Sequence, residues 1–182
     1  MAPQLTEDEI DDLIYFARSG EDTDLAETVS QLAEREKVTP AEILLAARDE
    51  GKSTTLHMAS GNGHLETVRW LIRSFDARPK DEKQAFLDDA NAHGNTGLHW
   101  ASLGGHLAVV QLLMEHGASP AIANEQNYVP LDLAQFNGHG AVAQFYLAAA
   151  GMLEERNQEQ GGALDGALDA VKLGEPETGA EE

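Results

Sequence analysis

The chain has 182 residues, of which 32 are acidic and 12 basic, giving a formal charge of −20, and it contains no cysteine. That length suits one domain of about 150 residues with an extra segment. Such a charge repels phosphate backbones and anionic lipid and favours basic partners, and the missing thiols exclude disulfides, thiol nucleophiles and cysteine zinc sites.

No apolar run approaches the ~18 residues needed to span a bilayer. The start, Met1-Ala2-Pro3-Gln4, has neither the basic flank nor the apolar stretch of a secretory signal. Thr6-Glu7-Asp8-Glu9 then reads as a capping box ahead of Ile10, Leu13 and Ile14, which predicts a first helix from about Glu7. A second helix follows at about 23–36. Thr39-Pro40-Ala41-Glu42 supplies a Thr cap, a Pro at the first helical position and a Glu at the third, so a short helix should run to about Arg48.

A recurring phrase comes next. Ser53-Thr54-Thr55-Leu56-His57-Met58-Ala59-Ser60-Gly61-Asn62-Gly63-His64-Leu65 is matched by Asn95-Thr96-Gly97-Leu98-His99-Trp100-Ala101-Ser102-Leu103-Gly104-Gly105-His106-Leu107. A looser copy runs from Tyr128 to His139, and a degenerate first copy from Ile14 to Gly20. In each full copy a Thr is placed to cap a short helix. Leu56 and Ala59, like Leu98 and Ala101, fall on one helical face. The Gly before each His closes that helix in the left-handed region. Second helices follow, with apolar stripes at Leu65, Val68, Leu71 and Ile72 and at Leu107, Val110, Leu112 and Leu113. One such pair cannot bury two apolar faces, so neighbouring pairs must stack.

Between the central copies, Arg78-Pro79 and then Asp81-Glu82-Lys83-Gln84 predict another short helix, capped by Asp81 and ending near Ala90. Beyond Gly151 the composition shifts: nine acids face Arg156 and Lys172, Gly161-Gly162 breaks any helix and no aromatic residue remains. This predicts an acidic, mostly disordered tail over 151–182, with a short helix conceivable from Ala163 to Leu173.

The phrase resembles the ankyrin repeat, whose family motif is T-P-L-H-x-A. Gly20, Gly63, Gly105 and Gly138 lie 43, 42 and 33 residues apart. Against a family period of about 33, the first two intervals hold insertions of about ten residues. Thr55 and Gly97 stand where the family usually has Pro, Asp132 replaces the usual His, and Val129 the usual Thr. The expected fold is an all-α ankyrin solenoid over 1–150. Its repeats lie at about 8–38, 50–76, 91–123 and 124–150, with helical insertions at about 39–49 and 77–90.

Seven histidines invite a metal reading, but the zinc pattern H-E-x-x-H is absent. The resemblance gives the histidines structural work instead: the T-x-L-H ring bonds neighbouring backbone, and the one after Gly seats the second helix. Neither a G-x-S-x-G elbow nor a phosphate-binding loop occurs. The expectation is a binding protein with no catalytic residue, metal or cofactor.

Ankyrin stacks present a concave face made of turn tips and first helices. Mapped onto this chain, the tips offer Glu50, Ser53, His93, Asn95, Glu125 and Tyr128. The first helices offer Ser60, Asn62, Ser102, Leu103, Gln135, Phe136 and Asn137, with Leu103 and Phe136 as apolar anchors. Glu50, Asp88, Asp89 and Glu125 would supply charge, so the expected ligand is a basic amphipathic helix. Trp70 and Trp100 are assigned to packing.

The central strings, the insertion at about 76–90 and the acidic end are also similar to fungal ankyrin-repeat chaperones of one newly made small-subunit ribosomal protein. That client is the KH-domain protein numbered three. The resemblance implies a monomer that forms a heterodimer with the basic N-terminal part of its client, in the cytoplasm and nucleus. Two other readings share the fold: a generic ankyrin adaptor in signalling or transcription, and a holder of histones or other basic proteins.

Overall fold

The computed structural model describes residues 2–151. The acidic tail and the possible helix at 163–173 lie outside the described residues. Two compact units are present, Met1–Ala143 and Gln144–Glu182. The first contains α1 (Glu7–Ser19), α2 (Asp22–Glu36), α3 (Pro40–Ala46), α4 (Thr55–Asn62), α5 (Leu65–Arg73), α6 (Lys80–Leu87), α7 (Gly97–Gly104), α8 (Leu107–Glu115) and α9 (Pro130–Phe136). Residues 144–151, the described part of the second unit, are helical. Among the described residues there is no strand, only an isolated bridge between Arg48 and Thr54.

Helices form antiparallel pairs and the pairs stack. α1 packs on α2, α4 on α5 and α7 on α8, while α1, α4, α7 and α9 contact one another in succession as an inner row. The inner row can close up because its contact positions are small: Ala59, Ala101 and Ala134 are fully buried. Gly97 adds to this, since a Cβ there would come within 3.3 Å of Leu56 and Ser60. The outer helices bury Val68, Leu71, Ile72, Val109, Val110 and Leu113. Each such side chain contributes about 1.5–3 kcal/mol on burial.

Local signals fix the helix ends. Thr6 and Thr39 form complete capping boxes with Glu9 and Glu42. Gly20, Gly63 and Gly105 close α1, α4 and α7 with φ of 72°, 76° and 73°. Glu9 also pairs with Arg35, which reaches it from α2 together with Glu36. The Arg35 guanidinium, with the Thr6 backbone, holds the Glu9 carboxyl down at about 2.

The second insertion differs from expectation at its start. α6 begins at Lys80 with Pro79 as its cap, so Asp81 lies inside the first turn, and the helix ends at Leu87. Proline at the cap fixes φ at −52° and needs no N–H there. The insertion is anchored by Phe86, whose ring stacks on Phe75 at 4.2 Å and 17°, both fully buried. Phe86→Ala should therefore lower the unfolding free energy by about 3–5 kcal/mol, measured as a drop in urea midpoint by circular dichroism. A loss under 1 kcal/mol would mean that the insertion is only an appendage.

Candidate protein-binding face

Three turns of one design form the rim. They span 49–53, 91–95 and 124–128, opened by Asp49, Asn91 and Asn124. The side-chain oxygen of each opener accepts the backbone N–H four residues on, from Ser53 (2.7 Å), Asn95 (3.1 Å) and Tyr128 (3.0 Å). The fourth residue is left-handed in all three: Lys52 at φ 60°, Gly94 at 75° and Asn127 at 62°. Backbone bonds join the tips in order, Ala92 N–H to Gly51 carbonyl at 2.8 Å and Glu125 N–H to His93 carbonyl at 3.1 Å.

The histidines build two ladders between repeats. His57 accepts the Thr54 N–H at Nδ1 (3.0 Å), so Nε2 carries the proton and donates to the Asn95 carbonyl at 2.8 Å in the next turn. His99 repeats this with Thr96 and the Tyr128 carbonyl, at 3.1 and 3.0 Å. Thr54 and Thr96 thus cap through the imidazole rather than through their own hydroxyls. In the last copy Asp132 accepts the Val129 N–H at 2.9 Å and has no proton to send forward. The second ladder runs backwards. His64, His106 and His139 donate through Nε2 to the carbonyls of Arg18, Gly61 and Leu103 at 2.8–2.9 Å. Burial lowers the affinity of His57 and His99 for a second proton.

The inner helices line the face in two registers. Five residues before each closing Gly stand Tyr15, Met58, Trp100 and Leu133; two before it stand Arg18, Gly61, Leu103 and Phe136. Tyr15, Leu103 and Phe136 are 56%, 44% and 65% exposed. Tyr128 is also exposed, and its ring meets Phe136 edge-on at 5.0 Å. Trp100 lies against Gly61, where a Cβ would come within 2.8 Å of the ring. At the other end, a cleft of about 670 Å³ is lined by Glu7, Ile10, Asp11, Arg48, Asp49, Glu50 and Gly51.

Several sequence-based assignments change. Ser53, Ser60 and Ser102 are buried, because they sit where one repeat meets the next, and they offer no surface. Asp88 accepts the Ser119 N–H at 2.7 Å and a Gln84 N–H at 2.6 Å. Asp89 pairs with Arg48 at 2.6 Å. Both acids therefore join the insertion to its neighbours, work the sequence did not show. Asn95 is half-buried between turns, its carbonyl taken by His57 and its side-chain oxygen by Asn124. Trp70 and Trp100 are half-buried, and Trp100 packs on Gly61 in keeping with the packing assignment.

Glu50, Asn62, His93, Leu103, Glu125, Tyr128, Gln135, Phe136 and Asn137 are all exposed. His93 approaches Glu125 at 4.0 Å. Sequence reading missed Glu7, Asp11 and Tyr15. The repeat carried no signal for them: aligning Gly20 with Gly63 puts Tyr15 in the register of Met58, which is buried.

Two family models match the chain: "Ankyrin repeat" over residues 52–82 and "Ankyrin repeats (many copies)" over 80–134. The ankyrin repeat-containing protein YAR1 of Saccharomyces cerevisiae is 34% identical over 157 residues, covering 85% of this chain and 76% of that protein. The chain belongs to the ankyrin-repeat family. Among solved structures, the crystal structure of the yeast ribosomal protein Rps3 in complex with its chaperone Yar1 contains a similar chain. That match has a TM-score of 0.73 and 34% identity, covering 80% of this chain and 95% of that one. Palmitoyltransferase AKR1 of Debaryomyces hansenii is 24% identical over 62% of this chain, but the ankyrin segment spans only 14% of that enzyme.

Proposed function

We propose that this ankyrin protein is a dedicated, non-catalytic chaperone of a newly made small-subunit ribosomal protein, the counterpart of Rps3. One observation carries the reading: 34% identity to YAR1 extends over most of both chains, not over a borrowed repeat. The likeness to a chain from the Rps3–Yar1 complex supports it at the level of fold. The face is suited to the task, since an apolar floor with a carboxylate cleft can shield a basic, RNA-seeking surface. The −20 charge speeds capture of such a client and keeps the pair soluble. Binding is reversible and uses no nucleotide; ribosomal RNA, a stronger polyanion, displaces the chaperone. The client is taken up in the cytoplasm and released in the nucleus at the assembling subunit.

Co-expression tests this directly. The Rps3 counterpart should aggregate alone and become soluble as a one-to-one complex when this chain is present. Rps3 that remains insoluble, or a pull-down in which histones or signalling proteins outcompete it, overturns the proposal.

A further inference from the structure

Carboxylates and aliphatic or aromatic side chains are weighted to opposite ends of the inner row, with Tyr15 and Arg18 of α1 also exposed at the acidic end. The cleft beside α1 and the first turn presents exposed Glu7, Asp11 and Glu50 around Ile10. Its one cation, Arg48, is held by Asp89. At the opposite end the exposed groups are Leu103, Phe136 and Tyr128 with the amides of Gln126, Gln135 and Asn137. There Glu125 lies beside His93, and Asp132 is occupied by the Val129 N–H.

We propose that the face is directional, taking a helical segment whose cationic end lies over α1 and the first turn and whose apolar end lies over α7 and α9. The proposal rests on the reading that the client is basic, and it adds the order in which that client's chemistry must run. Charge complementarity sets the polarity. A lysine-rich end laid over Phe136 and Leu103 would be desolvated against side chains with Glu125 alone at the rim, while an apolar end laid over Glu7, Asp11 and Glu50 would strip water from three carboxylates. Length agrees. Neighbouring helices pack about 8–10 Å apart, so the three steps from α1 to α9 span about 24–30 Å. A helix of about 20 residues is roughly 30 Å long.

The test uses the full chain and two designed 20-residue helical peptides of identical composition. One has its lysines and arginines in one half and its leucines and phenylalanines in the other; the second interleaves them. A benzophenone at either end of the segregated peptide should cross-link from the basic end to α1 or residues 48–51, and from the apolar end to α7 or α9. The interleaved peptide should bind at least tenfold more weakly. The triple variant E7Q/D11N/E50Q should flatten the dependence of affinity on salt. Phe136→Asp should weaken binding at least tenfold at every salt concentration without changing that slope. Reversed or mixed cross-links, equal binding of both peptides, the same slope change from both variants, or no binding at all would each overturn the directional face. The outcome is separable from the function test. Soluble Rps3 with a reversed peptide map removes only the polarity, and insoluble Rps3 with the expected map removes only the chaperone reading.

Discussion

Leu103→Asp should abolish capture of the proposed ribosomal client while leaving the protein folded. The side chain is 44% exposed near the end of α7, and its backbone carbonyl accepts from His139. Substitution leaves that bond intact. A new carboxylate near a helix C-terminus costs about 0.3–1 kcal/mol, which moves the thermal midpoint by a few degrees. Binding suffers more. Covering the site loses an apolar contact worth roughly 1.5–3 kcal/mol and desolvates a charge with no basic partner nearby, at several kcal/mol more. At about 1.4 kcal/mol per factor of ten, affinity should fall by at least a hundredfold. Pull-down of co-expressed client, with circular dichroism of the purified variant, checks both halves. Unchanged capture would show that the client binds elsewhere.

This outcome separates what the sequence could say from what only packing reveals. Repeat phrase, helix order and closing glycines were readable because each is a local requirement: a small residue for close approach, a left-handed position, an apolar stripe. Leu103 and Phe136 were readable as exposed because the family phrase assigns their register to the surface. Ser60 and Ser102 share that phrase yet are buried, since the next inner helix covers them. Gln135, the matching residue of the last copy, is exposed. Asp88 and Asp89 read as free acids because nothing local showed that the Ser119 backbone and Arg48, far along the chain, would reach them. The turn-to-turn bonds of Ala92 and Glu125 were likewise hidden, being backbone contacts with no side-chain signature.

Replacing His57 by Leu should have a large effect on stability, and remove an acid-sensitive contribution. The ring satisfies two backbone groups at once, the buried Thr54 N–H and the half-buried Asn95 carbonyl. Leucine fills the space and pairs neither. Leaving two such groups unsatisfied costs about 1–3 kcal/mol each, so the loss at pH 7 should be roughly 2–6 kcal/mol. Domains of this kind hold only about 5–15 kcal/mol in all. Because stability in a repeat array is carried by neighbour interfaces, the break should uncouple α4–α5 from the turn that follows, and the urea transition should broaden. The same geometry sets a pH dependence. Both imidazoles are neutral in the folded state, their proton affinity lowered mainly by burial. In the unfolded chain they titrate near 6.5, so the unfolded state binds more protons as the pH drops below that value. Stability is then fully present above pH ~6.5 and declines toward the folded-state values, by up to about 2.7 kcal/mol per pH unit where both rings contribute. The Glu9 carboxyl, held at about 2 in the fold, adds a separate loss only below about pH 4.5. Urea midpoints at pH 7.5, 6.5 and 5.5 should fall steeply in the native chain. In the double variant H57L/H99L they should start lower and stay nearly level. A double variant as acid-sensitive as the native chain would place the titration on other groups and deny the imidazole bridges their part in joining the repeats.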